Sequence, residues 1–147
     1  MRAPSRTGRR AITLDVVSVL DKRLVQYLTS YEEVSILKLN HVNLTVTDVE
    51  AAAAFLERYF GLRKQHGNKG FVLLFDDDGM VLTLMKAGQV AYPKTFHIGF
   101  AQDSEAQVNA IYQRLKDDGY EVNPPERSHG WTFYIQAPGG FLVEVLS

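Results

Sequence analysis

The sequence repeats one pattern of elements. Leu39-Asn40-His41-Val42-Asn43-Leu44-Thr45-Val46 alternates like a half-buried strand, then meets the capping residue Asp48 and a helical stretch Val49–Phe60 closed by Gly61. Thr95-Phe96-His97-Ile98-Gly99-Phe100 repeats the strand, followed by the cap Ser104, a helix over Glu105–Asp118 and Gly119. Short β-like runs follow each helix. They are Leu62–Gln65, Phe71–Phe75 and Met80–Met85 in the first half, and Tyr120–Val122, Trp131–Gln136 and Phe141–Leu146 in the second. Turn residues separate them. Each half therefore reads βαβββ, and His41 and His97 occupy the same point of the repeat.

Composition narrows what such a pair of modules does. Sixteen basic and seventeen acidic side chains leave a formal charge of −1, so no basic field draws nucleic acid. The absence of cysteine removes disulfide scaffolds, thiolate nucleophiles and iron–sulfur ligation, and leaves any metal to His, Asp or Glu. The most apolar runs, Val49–Leu56 and Met80–Met85, are far short of the ~18–20 residues of a membrane span. A soluble, cytoplasmic protein with no nucleic-acid or membrane partner is expected. Before the repeat, Met1–Arg10 carries four arginines and no acid, and Ile12–Leu28 sets Val16, Val17, Leu20, Leu24 and Leu28 on one helical stripe. This predicts an extension over residues 1–36, with a disordered start and one amphipathic helix, read as a docking arm or an upstream start or, alternatively, as an organellar import segment. The repeat domain occupies 37–147, with modules at about 37–87 and 94–147.

Strand alternation assigns the faces. Val42, Leu44 and Val46 face a helix and leave His41, Asn43 and Thr45 on the other side; Phe96, Ile98 and Phe100 do the same and turn His97 away. Glu144 interrupts the apolar run Phe141–Leu146, where a buried carboxylate needs a partner. The aligned position in the first half is Thr83. Equivalent strands brought together around one cavity make His41, His97 and Glu144 converge as a set of two histidines and one carboxylate. The simpler alternatives are strand histidines bonded to backbone, and a Glu144 that faces water or pairs with Lys38, Lys86 or Lys94. Asp76-Asp77-Asp78-Gly79 reads as a turn because it lacks the spaced ligands of a calcium loop.

From about Leu37 onward the chain resembles the vicinal oxygen chelate superfamily, which includes glyoxalase I, bleomycin-resistance proteins, fosfomycin-modifying thiol transferases and extradiol dioxygenases. The resemblance rests on Leu39-Asn40-His41-Val42 with Thr47-Asp48, on Phe96-His97-Ile98-Gly99-Phe100, and on Ala137-Pro138-Gly139-Gly140-Phe141-Leu142-Val143-Glu144-Val145. It implies an α+β fold of two βαβββ modules forming a cupped mixed sheet with helices outside. It also implies His41, His97 and Glu144 as metal ligands and a homodimer whose cavities are built from both chains. Thr83 stands where glyoxalase I carries a fourth ligand. Ser128 and Tyr134 resemble substrate-side positions of the fosfomycin transferases. Asn43 and Pro124 depart from that subfamily, and the sequence ends three residues after Glu144, before the position of its arginine. His129 and Tyr134 are loose counterparts of the catalytic His and Tyr of extradiol dioxygenases; His129, like His66, also reads as a solvated hairpin residue. Trp131, Phe133, Tyr134 and Phe141 suit either core or pocket.

Two imidazoles and a carboxylate leave a divalent ion, Fe, Mn, Co, Ni or Zn, with open positions for substrate oxygens. Such an ion stabilises an enolate, alkoxide or catecholate as a Lewis acid, and Glu144, if displaced, serves as a base. The expected function is a metal-dependent enzyme acting on a small bidentate oxygenated substrate by lyase, isomerase or dioxygenase chemistry. The alternative is a binding protein that sequesters a small molecule without catalysis, as bleomycin-resistance proteins do.

Overall fold

A computed structural model of the chain describes residues 38–147. The Arg-rich start and the amphipathic helix expected over Ile12–Leu28 lie outside the described residues. The elements in order are β1 (His41–Val46), α1 (Val49–Phe60), β2 (Arg63–Gly67), β3 (Phe71–Phe75), β4 (Val81–Lys86), β5 (Ile98–Ala101), α2 (Glu105–Asp117), β6 (Glu126–Arg127), β7 (Trp131–Ala137) and β8 (Phe141–Leu146). They form an α+β fold of two βαβββ modules, each with one four-stranded mixed sheet. The strand orders are β1-β4-β3-β2 and β5-β8-β7-β6, with β1/β4 and β5/β8 parallel and the remaining pairs antiparallel.

The local signals explain where the helices begin. The Asp48 carboxylate accepts the Ala51 N–H at 3.0 Å, satisfying a donor that has no partner within the helix, and Gly61 ends α1 at φ 70°. Ser104 caps α2 in the same way through the Gln107 N–H. From α1, Val49, Ala52, Ala53, Phe55, Leu56 and Tyr59 are buried; from α2, only Val108 and Leu115. These side chains meet Leu44, Val46, Val72, Leu74 and Leu84 of the first sheet and Phe133, Ile135, Val143 and Val145 of the second in one core. Each fully buried large apolar side chain contributes about 1.5–3 kcal/mol.

Several contacts join the modules. The Thr47 N–H donates to the Gly139 carbonyl at 3.0 Å, and the Phe60 ring stacks on Phe100 with centroids 4.3 Å apart. Gly139, at φ 94°, lies where an added Cβ would be 2.9 Å from Val46 Cβ, so the close approach requires glycine. With the helices on one side, the opposite sheet faces carry His41, Asn43 and Thr45 in module one and Thr132, Tyr134 and Glu144 in module two.

Two expected strands differ. Tyr120–Val122 forms no strand; the pairing segment is Glu126–Arg127, opposite Trp131 and Thr132. Tyr120 and Val122 pack against the core instead, and the two prolines that follow lack the N–H groups a ladder needs. His97 lies one residue before β5 rather than within a strand begun at Thr95. The Phe96 N–H closes a turn on the Pro93 carbonyl at 2.9 Å, which takes residues 93–96 out of the extended ladder. Asp76 folds its own turn, its carboxylate accepting the N–H groups of Asp78 and Met80 at 3.0 and 2.7 Å. No helix among the described residues is long and apolar enough to cross a membrane.

Candidate metal centre

Glu144 lies in the middle of β8, paired with Tyr134 on β7 and Gly99 on β5, and is 4% exposed. Strand pairing brings its neighbours to it. The Tyr134 hydroxyl donates to Glu144 Oε1 at 2.6 Å. Thr132, two residues earlier on the same face of β7, places its hydroxyl 3.0 Å from that oxygen and 3.0 Å from the Val145 carbonyl, and its one proton serves either. His129, on the turn before β7, sets Nε2 2.8 Å from Oε1. No lysine among the described residues pairs with the carboxylate.

The second oxygen is treated differently. Oε2 faces His97 Nε2 at 3.2 Å, while His97 Nδ1 lies 3.0 Å from the Thr95 carbonyl. A carbonyl only accepts, so Nδ1 carries a proton; in the neutral ring Nε2 then presents a bare lone pair, and in the protonated ring it donates to Oε2. Two lone pairs at this distance repel unless a proton or a cation lies between them. Two ligands ~2.1 Å from one ion stand about 3.0 Å apart at a right angle and about 3.4 Å apart at the tetrahedral angle. The 3.2 Å separation falls between these values, so Nε2 and Oε2 can serve as adjacent ligands.

Burial pushes the Glu144 pKa up, but hydrogen bonds from Tyr134 and Thr132, with His129 and His97 beside it, outweigh burial and hold the carboxyl below its ordinary value. The hydrogen bond to Glu144, with burial and the carboxylate charge adding to it, pushes Tyr134 up to about 12. At neutral pH the pair is thus an anion and a phenol donor. The His97 and Tyr134 rings meet edge to face at 5.6 Å, above a cleft of about 340 Å³ lined by Lys94, Thr95, His97, Tyr134 and Leu142.

Of the residues singled out in the sequence, His97, His129, Tyr134 and Glu144 lie together. His41 does not join them. It stands exposed at the start of β1, its Nδ1 2.8 Å from Asn40 Oδ1. Among the described residues, no three His, Cys, Asp or Glu side chains are placed to hold a metal ion. Ser128 forms the turn that carries His129, its N–H donating to the Gly130 carbonyl. Phe133 and Phe141 belong to the core, and the Trp131 indole N–H donates to Asn109 at 2.9 Å. Sequence reasoning passed over two participants, Thr132 and the Thr95 carbonyl. Alternation along β7, with Thr132 and Tyr134 two residues apart, is the signal that places the first beside Glu144.

Residues 38–145 match the model of the glyoxalase/bleomycin resistance protein/dioxygenase superfamily, and the chain belongs to this family. A solved structure of a possible glyoxalase from Bacillus cereus is similar at 53% identity and a TM-score of 0.73, covering 76% of this chain and 99% of that one. Glutathione transferase FosA of Serratia marcescens is 28% identical over 111 residues, 73% of this chain and 78% of its own length. The fold is also that of the fosfomycin resistance protein FosX from Listeria monocytogenes, crystallised with Mn(II) and sulfate, at 22% identity and a TM-score of 0.65 over 76% and 90% of the two chains.

Proposed function

We propose that the protein is a divalent-metal-dependent enzyme acting on a small substrate that chelates through two neighbouring oxygens. One observation carries the reading: a buried carboxylate oxygen and an imidazole nitrogen, its ring anchored through the other nitrogen on a carbonyl, face each other at ligand spacing. The Mn(II) in the FosX structure supports it from within the same fold. A bound ion would act as a Lewis acid on the substrate oxygens.

Each of the chain's own residues has a part. Thr95 fixes the His97 tautomer. Tyr134, Thr132 and His129 occupy Oε1, which leaves Oε2 to coordinate and makes Glu144 a ligand rather than a free base. His129, with its side chain about half exposed and its Nε2 against Oε1, is assigned to take or return a proton. This assignment favours lyase or isomerase chemistry at a carbon beside the chelated oxygens. Dioxygenase chemistry would instead make turnover depend on oxygen.

The third ligand is the partner subunit's His41, in a homodimer that shares its sites. Within the subunit His41 has the same preparation as His97: Nδ1 engaged by an oxygen, Nε2 left to coordinate.

Elemental analysis of freshly purified protein tests the assignment. The wild type is expected to carry about one divalent ion per subunit and His97→Ala to carry none; equal content in both rejects it. Tight binding of an aromatic ligand that persists unchanged in chelator would favour sequestration instead.

A further inference from the structure

The cleft beside the candidate ligands is lined by a lysine, Lys94, that takes no part in holding them. Lys94 lies in the turn closed by the Pro93 carbonyl and the Phe96 N–H, one residue before the Thr95 carbonyl that holds His97. That turn is anchored from both ends. Tyr92 stacks on Phe96 with centroids 4.3 Å apart and planes 11° from parallel, and its hydroxyl spans the free edge of β1, accepting the Thr45 N–H at 2.8 Å and donating to the Thr45 carbonyl at 2.9 Å. The backbone that presents Lys94 is therefore braced by the same contacts that set His97.

The lining of the cleft is unbalanced in hydrogen-bonding terms. The Tyr134 proton is committed to Glu144, and the Thr95 carbonyl to His97. Among the described residues, the Lys94 ammonium enters no ion pair and the Thr95 hydroxyl no hydrogen bond. Together they carry four donor hydrogens on residues that line a space with no spare carboxylate, while Leu142 adds an apolar residue to the lining. At about 340 Å³ the cleft lies at the small end of the ~300–1,000 Å³ range of ligand pockets.

We propose that the substrate carries an oxyanion, a carboxylate or phosphate group, bound by Lys94 and Thr95 while its neighbouring oxygens reach His97 and Glu144. This rests on the functional reading above for the chelating end, but the oxyanion end is tested separately. With a chain charge of −1 there is no general pull on anions, so selection for one is local to this cleft.

The experiment uses the full chain with glycolate, inorganic phosphate and ethylene glycol as probes, each measured by calorimetry with and without chelator. Reductive methylation of Lys94 is followed in parallel by mass spectrometry. Glycolate or phosphate is expected to bind and to slow labelling of Lys94 several-fold, leaving the other lysines unaffected, with ethylene glycol having no effect. Lys94→Met should weaken anion binding about tenfold and Lys94→Arg by less than about threefold, with metal content unchanged in both. Whichever anion binds tighter names the oxyanion. The proposal is overturned if Lys94→Met binds both anions as the wild type does, or if neither anion protects Lys94 at millimolar concentration. A wild type that lacks metal but retains Lys94-dependent anion binding in chelator would remove the metalloenzyme reading and leave this one standing.

Discussion

The two modules share a scaffold and diverge at the same two positions. In module one Asn43 of β1 pairs with Thr83 of β4; in module two Gly99 of β5 pairs with Glu144 of β8. Asn43 donates to the Met85 sulfur at 3.1 Å, a local contact that draws nothing in from elsewhere. Glu144, by contrast, gathers Thr132, Tyr134, His129 and His97 around one carboxylate. A buried anion must be compensated, whereas a half-buried, uncharged threonine such as Thr83 requires no such shell. Duplicating a fold therefore does not duplicate a site; one exchange of a neutral for a charged side chain concentrates the chemistry in one half.

The largest expected effect comes from erasing that difference. Glu144→Gln keeps an acceptor for Tyr134 but removes the charge. A dication ~2.1 Å from a unit negative charge gains roughly 4 kcal/mol even in a medium as polar as water, so metal affinity should fall about a thousandfold. Equilibrium dialysis would show it. Thr83→Glu, which writes the module-two residue into module one, should bind no additional ion because nothing comparable surrounds position 83. A mixing experiment sharpens the comparison. If sites are shared between subunits, co-refolding His41→Ala with Glu144→Gln regenerates intact sites at about a quarter of the total, from the half of the dimers that are mixed. No recovery of metal binding would mean that His41 and Glu144 act in the same subunit or not together.

The helices differ as the sites do. Because α1 is buried along most of its inner face and α2 at two residues, Leu56→Ala should cost about 3 kcal/mol in urea unfolding. In native-state hydrogen exchange, α1 amides should lose protection by the full amount, while α2 amides, which exchange through smaller openings, lose less. Equal losses would make the modules one cooperative unit. A smaller effect is expected at the junction. Gly139→Ala forces a Cβ into contact with Val46 at positive φ and should cost about 2 kcal/mol, against about 1 kcal/mol for Gly61→Ala, where φ is also positive but no atom lies within 4 Å.

Much of this is legible in the sequence, for a physical reason. Strand alternation and helix caps are local, so the doubled βαβββ order and the outward faces of His41 and His97 follow from neighbours alone. Glu144 announces itself because a charge within Phe141–Leu146 violates the pattern around it. Nonlocal geometry is harder to read. His129 reaches Glu144 through the fold of the turn at 128–130, and Tyr120–Val122, though β-like in composition, loses its strand to the core and to the prolines after it. His41 is placed by its strand, but periodicity is silent on what its ring meets beyond Asn40.

The smallest effect is expected far from the site, where the two helices meet. The Tyr59 hydroxyl donates to Asp118 at 2.5 Å, Arg58 pairs with the same carboxylate at 2.8 Å, and the Arg114 guanidinium donates to the Arg58 carbonyl at 2.8 Å. Burial, followed by the hydrogen bond to Asp118, pushes the Tyr59 pKa up to about 12. A folded value above the unfolded one means stability is fully present below about pH 10 and is lost as pH rises through about 12, because the unfolded chain releases its proton first. Tyr59→Phe should cost about 1 kcal/mol at neutral pH, the worth of a hydrogen bond. Between pH 9 and 11 the wild type should lose about 1 kcal/mol more than the variant, so the two stability curves draw together with rising pH. Parallel curves would show that the clamp between the helices depends on the Arg58–Asp118 pair and the packing of the ring rather than on the phenol proton.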